Sequence, residues 1–406
     1  MAKPHIITGL DIGSGYIKLL SVSKKSGEEN FEILSQLQEP SLGIRKGVII
    51  NVPKVTESIS SLIKKAEQDS GIKINNVYAN INGCHIYSTY SKGLVSVSRA
   101  DRKISEEDVE RVLQAARAIS LSSNKEIIHT FPKEFIVDGE GGVREAVGME
   151  GVRLEAETLL LCGFSPYIKN STQAILGSGV QVGELISDPL ASARAVLNSK
   201  EKELGVCILD IGAATTGMGV FEEGSLIHAA VFPVGSSHIT NDIAICLKTD
   251  INTAEKIKLE FATCKDISKK EKKTEKKIKL EGEETLSFSV DLLSDIVEAR
   301  VSEILDLTNK ELKKISRQEM LPAGIVLTGG GVKLPGIKDL TKKRLKLPCR
   351  IGAAEGFSGF HADPSLSTLC GLILEGIDLE EEQGSFPGSN KGIRNRLKNI
   401  FRIFIP

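Results

Sequence analysis

The alternation of apolar and polar positions divides the chain into two halves that begin alike. Residues 5–10 form a largely apolar run ending in Asp11-Ile12-Gly13-Ser14-Gly15. The strand-like Tyr16–Ser23, a charged turn over Lys24–Asn30 and a second strand over Phe31–Gln36 follow. The pattern returns at Val206–Leu209, which leads into Asp210-Ile211-Gly212-Ala213-Ala214-Thr215-Thr216-Gly217. After it come a strand over Met218–Phe221, a turn at Glu222-Glu223-Gly224 and a strand over Leu226–Phe232. Short apolar runs punctuated by turn residues predict strands. A strand, an Asp-Ile-Gly turn and a hairpin at the head of each half predict an internal duplication, and so two α/β lobes built alike.

Between these units the apolar period changes from two to 3.6. Val55, Ile59, Leu62, Ile63 and Ala66 make one helical stripe, and Val109, Val112, Leu113, Ala116 and Ile119 another. The second is opened by a capping-type Ser105-Glu106-Glu107-Asp108. A longer helix is predicted over 291–315. Residues 98–160 carry a helix and strands of their own and read as an insertion between the halves. Residues 265–284 are dense in Lys and Glu and predict a solvated loop or hairpin. Residues 380–392 are acidic, then rich in Gly, Ser and Pro, the composition of a flexible linker.

The segment beyond that linker has a different character. On a helix, Ile393, Leu397, Ile400, Phe401 and Phe404 share an arc of about 100°, flanked or opposed by Arg394, Arg396, Lys398 and Arg402. Residues 391–406 hold five Lys or Arg and no acid. A narrow, bulky apolar face bordered by cations predicts a helix lying in an anionic membrane interface.

Composition narrows the possibilities. The 52 Lys and Arg balance 53 Asp and Glu across 406 residues, so no global charge excess points to nucleic acid, and none is expected as a partner. The seven cysteines (Cys84, Cys162, Cys207, Cys246, Cys264, Cys349 and Cys370) form no CxxC pair and no cluster with His at metal spacing. Free thiols in a reducing compartment are expected. No charged n-region followed by an apolar stretch opens the chain, and no run of ~18 apolar residues occurs. A cytoplasmic protein without a cleaved leader or a spanning helix is the expectation.

The duplicated turns carry the candidate chemistry. A tight turn after a buried strand aims several backbone N–H groups at one place and makes an anion nest. Glycine is needed where phosphate comes within contact distance. Gly13, Ser14 and Gly15 supply one nest, and the loop from Gly212 to Gly217, with Thr215 and Thr216, the other. Paired loops each headed by Asp predict a clamp on one phosphate chain. Asp11 and Asp210 would hold Mg²⁺ mainly through its waters, and Lys18 would neutralise phosphate as a point cation. A third loop, Thr328-Gly329-Gly330-Gly331, follows the strand Gly324–Leu327 and leaves room for adenine and ribose. Glu255 and Lys258, three apart on one helix face, suit ribose hydroxyls and the purine edge.

This order of parts, with the Asp188–Ala193 helix between the two phosphate loops, resembles the superfamily of actin, heat-shock chaperone and sugar-kinase ATPases. Within it the chain is similar to the bacterial cell-division FtsA family. The closer likeness rests on Val147–Leu154, Ile128–Asp138 with Phe131-Pro132-Lys133-Glu134-Phe135, Val234–Ala244 and the basic C-terminal helix. The resemblance implies a duplicated, ribonuclease H-like two-lobe ATPase fold. Residues 1–83 and 163–200 would be the first lobe and 84–162 an inserted, FtsA-type subdomain that makes filament contacts. Residues 201–238 and 317–379 would be the second lobe and 239–316 its helical and hairpin subdomain. Residues 380–392 would be the linker and 393–406 the membrane-targeting helix. It further implies phosphate contacts from Gly235, Ser236 and Ser237, a carboxylate near Mg²⁺ at Asp188, and a role for Arg300 near the groove for the FtsZ C-terminal tail. The implied protein binds ATP and Mg²⁺ and forms filaments with itself. It works with FtsZ and other division proteins on the inner face of the cell membrane, at the division site.

One stretch departs from the family. Its second loop usually reads Asp-x-Gly-Gly-Gly-Thr-Thr-Asp, whereas Ala213, Ala214 and Gly217 stand here. The added methyls and the lost carboxylate predict ATP binding with slow hydrolysis at most, below the usual enzyme median of about 10 s⁻¹; no catalytic residue is assigned. Two other readings stay open: an FtsA-like scaffold of type IV pilus assembly, and a small-molecule kinase on the same fold.

Overall fold

The computed structural model describes residues 5–24, 31–265, 274–279, 285–358 and 362–384. The chain opens with β1 (His5–Ile12), β2 (Tyr16–Lys24) and β3 (Phe31–Pro40), then a short hairpin of β4 (Ile44–Arg45) and β5 (Val48–Ile49). Helix α1 (Val52–Ser70) starts where the Asn51 side chain accepts the Lys54 N–H and stops at Gly71, whose φ of 68° is left-handed. Its predicted stripe, Val55, Ile59, Leu62, Ile63 and Ala66, is buried in full.

The insertion follows β6 (Asn76–Ile81) and comprises β7 (Tyr87–Ser96), α2 (Glu106–Arg117), β8 (Lys125–Val137), β9 (Glu140–Val143) and β10 (Arg153–Phe164). Ser105 and Asp108 close the expected capping box on α2. The stripe ends one turn early, because α2 stops at Arg117 and Ile119 lies beyond it. Helices α3 (Ser165–Gly177), α4 (Asp188–Val196) and α5 (Ser199–Leu204), with β11 (Gln181–Ser187), complete the first half.

The second half repeats the opening with β12 (Val206–Ile211), β13 (Thr216–Glu222) and β14 (Ser225–Phe232). It continues through α6 (Ser236–Leu247), α7 (Ile251–Phe261), the hairpin β15 (Glu275–Lys279) and β16 (Thr285–Ser289), and α8 (Val290–Lys314). The last elements are β17 (Gly324–Thr328), α9 (Ile337–Leu345), β18 (Cys349–Ile351), β19 (Phe357–Ser358) and α10 (Ser367–Gly384). Helix α10 runs through residues 380–384, so the segment predicted as linker begins inside a helix. The rest of it, and the predicted membrane helix 393–406, lie outside the described residues.

Two sheets organise the molecule. One is six-stranded in the order β11-β6-β1-β2-β3-β19. Its faces are covered by α1 and α3 on one side and by α4 and α10 on the other. The other is nine-stranded in the order β18-β17-β12-β13-β14-β7-β10-β8-β9. The insertion therefore extends the second half's sheet through the β14–β7 contact at Ala230 and Tyr87. Helices α6, α7, α8 and α9 pack on one face of β12 and β13, while Ala193 and Val196 of α4 join the core on the other. With Ala191 in the first sheet's core, α4 is wedged between the sheets. Among the described residues no helix is long and apolar enough to cross a membrane.

Candidate functional site

The two Asp-Ile-Gly turns are the same turn built twice. In the first, the Gly13 N–H donates to the Tyr16 carbonyl (3.1 Å); in the second, the Gly212 N–H donates to the Thr215 carbonyl (2.9 Å). Each joins antiparallel strands, with Asp11 opposite Lys18 and Asp210 opposite Gly217. The turns face one another, since a Cβ placed on Gly15 would lie 3.0 Å from the Ala213 Cβ. Ser14 is held by the Gly47 N–H at 2.9 Å. Thr216 donates to the Val234 carbonyl (2.8 Å) beneath the second turn.

Three carboxylates converge where β1 and β12 end and α4 begins. The Asn80 Nδ2 donates to Asp11 Oδ1 (3.0 Å) and to Asp188 Oδ1 (2.8 Å). The Asn82 Nδ2 donates to Asp188 Oδ2 and, at 3.1 Å, to the Thr215 hydroxyl. Asp210 Oδ2 accepts from the hydroxyls of Ser192 and, at 2.7 Å, Thr368. Lys18 Nζ lies 3.0 Å from Asp11 Oδ2 and 2.8 Å from the Ser365 carbonyl. Burial, then repulsion from Asp11 and Asp210, pushes the Asp188 carboxyl well above the ordinary range. Burial also raises Asp210, against its two hydroxyl donors. Burial alone would lower Lys18, yet Asp11, with Asp210 and Asp188 beyond it, holds the ammonium above its usual value. One cation thus faces three carboxylates.

The third loop is tight for a reason its sequence did not disclose. A Cβ on Gly329 would fall 2.3 Å from Asp210 Oδ1, and one on Gly331 2.5 Å from Ile211 Cγ2. These two glycines let the loop pack on β12, whereas Gly330 is exposed and open. Gly235 is equally confined, its would-be Cβ 2.6 Å from the Gly212 and Ala213 carbonyls. The Ser236 and Ser237 N–H groups and the Ser237 hydroxyl are all donated to those carbonyls, so both serines brace the second turn. Glu255 and Lys258 pair at 2.7 Å, and each meets the Thr240 hydroxyl of α6, at 2.5 and 2.9 Å.

Comparison with known proteins supplies the family. The cell division protein FtsA of Pseudomonas aeruginosa is 34% identical over 380 residues, covering 93% of this chain and 90% of its own. The chain belongs to the FtsA family. FtsA of Escherichia coli K12 is 30% identical over 381 residues, covering 91% and 90%. The family model for "Cell division protein FtsA" matches residues 207–371, and that for the "SHS2 domain inserted in FTSA" matches residues 83–162. Among solved structures, a PilM–PilN type IV pilus biogenesis complex superposes with a TM-score of 0.64 at 16% identity, covering 91% of this chain and 98% of its counterpart. MreB5 of Spiroplasma citri bound to ADP gives 0.57 at 12%, covering 94% and 99%. Both likenesses are of fold, and the fold is the actin-like, duplicated two-lobe architecture.

In this chain Arg300 already has partners. Its Nε and Nη2 meet the two carboxylate oxygens of Asp242 at 2.7 and 2.8 Å, and its Nη1 meets Glu303. The predicted FtsA membrane residues, Ile393 to Phe404, lie outside the described residues. Sequence reasoning missed Asn80, Asn82, Ser192 and Thr368. The Asn pair left a trace: two amides spaced by two at the end of the apolar run Val77–Ile81 fall on one side of a strand. Ser192 and Thr368 left none, being small hydroxyl residues within helical patterns.

Proposed function

We propose that this FtsA-family chain is an ATP-dependent adapter of cell division. It clasps Mg·ATP between the duplicated turns, self-associates, and holds the FtsZ ring on the inner face of the cell membrane. The observation carrying this reading is the facing pair of turns, Gly15 against Ala213, with three carboxylates and Lys18 behind them. Backbone N–H groups of both turns suit a phosphate chain, and Gly330 offers the open approach to a nucleoside.

The carboxylates fit a hydrated Mg²⁺. Their charge exceeds that of Lys18, and Asp188 and Asp210 are held above the ordinary range by burial. Among the described residues no group of three or more His, Cys, Asp or Glu is close enough to hold a metal directly, and Mg²⁺ commonly keeps several waters. Asp11, Asp188 and Asp210 would hold those waters, and the ion would neutralise phosphate charge.

Arg300 would serve the FtsZ C-terminal tail by exchanging the Asp242 carboxylate for an acidic group of the peptide. The insertion would supply filament contacts, and the basic helix Ile393–Ile405 the membrane attachment. The pilus-scaffold reading has only likeness of fold behind it, whereas FtsA relatives match along nearly the whole chain.

Co-sedimentation with anionic liposomes, with and without Mg·ATP and an FtsZ tail peptide, tests the adapter. The full chain should pellet with vesicles and bring the peptide down. Truncation after Ser389 should release it to the supernatant while nucleotide binding persists. A truncated chain that still pellets would refute the membrane assignment, and loss of its fold would favour a tail docked on the core.

A further inference from the structure

The insertion is joined to the first lobe at two chain crossings, residues 82–86 on the way in and Phe164 on the way out. One side chain touches both. The Phe164 N–H donates to His85 Nδ1 at 3.1 Å. The ring proton therefore sits on Nε2, which donates to the Asn82 carbonyl at 3.2 Å. The ring is boxed in. A Cβ on Gly83 would lie 2.9 Å from its Cδ2, a Cβ on Gly163 3.2 Å from its Nδ1, and the Tyr167 ring centroid is 5.2 Å away. Any bulk at either crossing would displace it.

Asn82, gripped through its carbonyl, spends its side chain on the cleft. Its Oδ1 accepts the Gly83 N–H (2.6 Å), while its Nδ2 donates to Asp188 Oδ2 and to the Thr215 hydroxyl of the second turn. The first turn rests on the same corner. Gly47, whose would-be Cβ lies 2.9 Å from the Gly83 nitrogen, donates its N–H to Ser14. Insertion, His85, Asn82 and both turns thus form one continuous set of contacts.

We propose that His85 is a positioning residue that couples the inserted subdomain to Asp188, so that whatever the subdomain binds or pulls against alters how firmly the cleft holds Mg²⁺ with its nucleotide. This rests on the Mg·ATP reading of the cleft. His85 touches neither metal nor nucleotide and acts by fixing Asn82, which orients the carboxylate. Partners that orient a metal-facing group typically cost 10–100-fold in metal affinity when removed.

The test is calorimetric ATP binding to the full chain, in EDTA and across a Mg²⁺ titration, for wild type, His85→Ala, His85→Gln and His85→Asn. His85→Ala should raise the Mg²⁺ half-saturation about tenfold or more and leave affinity in EDTA unchanged. Gln keeps a donor for the Asn82 carbonyl and should restore most of the loss. Asn keeps only an acceptor for Phe164 and should not. Hydrogen exchange at the Phe164 amide should slow when Mg·ATP binds wild type, and this response should vanish in Asn82→Ala. Unchanged Mg²⁺ dependence in the folded variants, or equal loss in EDTA and in Mg²⁺, would reduce His85 to a structural clip and overturn the proposal. So would a Phe164 amide blind to Mg·ATP in wild type. Wild type that binds ATP without regard to Mg²⁺ would instead refute the cleft reading, and the coupling with it.

Discussion

Asp11 and Asp210 occupy the same place in two copies of one hairpin turn, yet Asp11 faces Lys18 across the strands and Asp210 faces Gly217. Asp11 has an ammonium at 3.0 Å. Asp210 has only the hydroxyls of Ser192 and Thr368 on Oδ2, and burial raises its carboxyl. The backbone was duplicated; the charge was not. The first turn is neutralised by its own cross-strand partner. The second, with Asp188, concentrates negative charge that, on the proposed reading, a hydrated divalent cation would relieve. The support differs as well. Ser41 braces the first turn, its N–H on the Gly15 carbonyl and its hydroxyl on the Gly13 carbonyl, whereas beneath the second Gly235 packs so closely that a Cβ would lie 2.6 Å from the Gly212 and Ala213 carbonyls.

The two turns differ most in the bulk they can tolerate. Gly235→Ala puts a methyl 2.6 Å from two carbonyl oxygens of the second turn. The variant should lose about 3 kcal/mol or fail to fold. Gly15→Ala meets only the Ala213 methyl at 3.0 Å and should cost about 1 kcal/mol. Denaturant melts compare the two, and equal costs would erase the claimed difference in support.

Charge provides the next test. Asp11→Asn leaves Lys18 only the Ser365 carbonyl and the more distant Asp188 and Asp210, and should destabilise the nucleotide-free protein by about 2 kcal/mol. Asp210→Asn keeps a carbonyl for Ser192 and Thr368, removes repulsion with Asp11 and Asp188, and should raise the melting temperature in EDTA. If both variants melt lower, the second turn stores no unrelieved charge.

The pH profile follows from the same asymmetry. Asp188 and Asp210 are raised above their ordinary value of 3.8 in the fold. The folded state therefore holds more protons than the unfolded chain across that interval. The stability they contribute is complete below pH ~3.8 and is lost as pH rises through the raised values. Thermal melts in EDTA from pH 5 upward should show this component falling, and saturating Mg·ATP should flatten it. A component that rises with pH in EDTA would contradict the assignment.

The smallest effect concerns the departure from the family's loop. Ala213→Gly removes the methyl facing Gly15 and should raise turnover only modestly, read as phosphate release. Gly217 is another matter: it is buried in β13, and a Cβ there would lie 3.1 Å from the Pro189 ring. Gly217→Asp, which restores the family's carboxylate, should therefore disturb α4 rather than accelerate hydrolysis.

Periodicity read the fold well because each half declares itself locally: the two hairpins, the α1 stripe and the Ser105–Asp108 cap all formed as their residues require. The duplicated turns were legible for the same reason. What stayed hidden was long-range. Nothing near Gly329 announces that it must clear Asp210, and nothing near Ser192 or Thr368 announces that they converge on one carboxylate oxygen. Asn82 had meaning only after β6 set it beside α4. Such contacts depend on how the two sheets and the wedged α4 come together, which no local pattern encodes.

Whether both turns hold one Mg·ATP is decided by calorimetric titration of ATP at saturating Mg²⁺ into Asp11→Ala and Asp210→Ala, with Ser23→Ala as control. At least a tenfold loss of affinity, about 1.4 kcal/mol, is expected in each aspartate variant and none in the control. Wild-type affinity in both aspartate variants would contradict it.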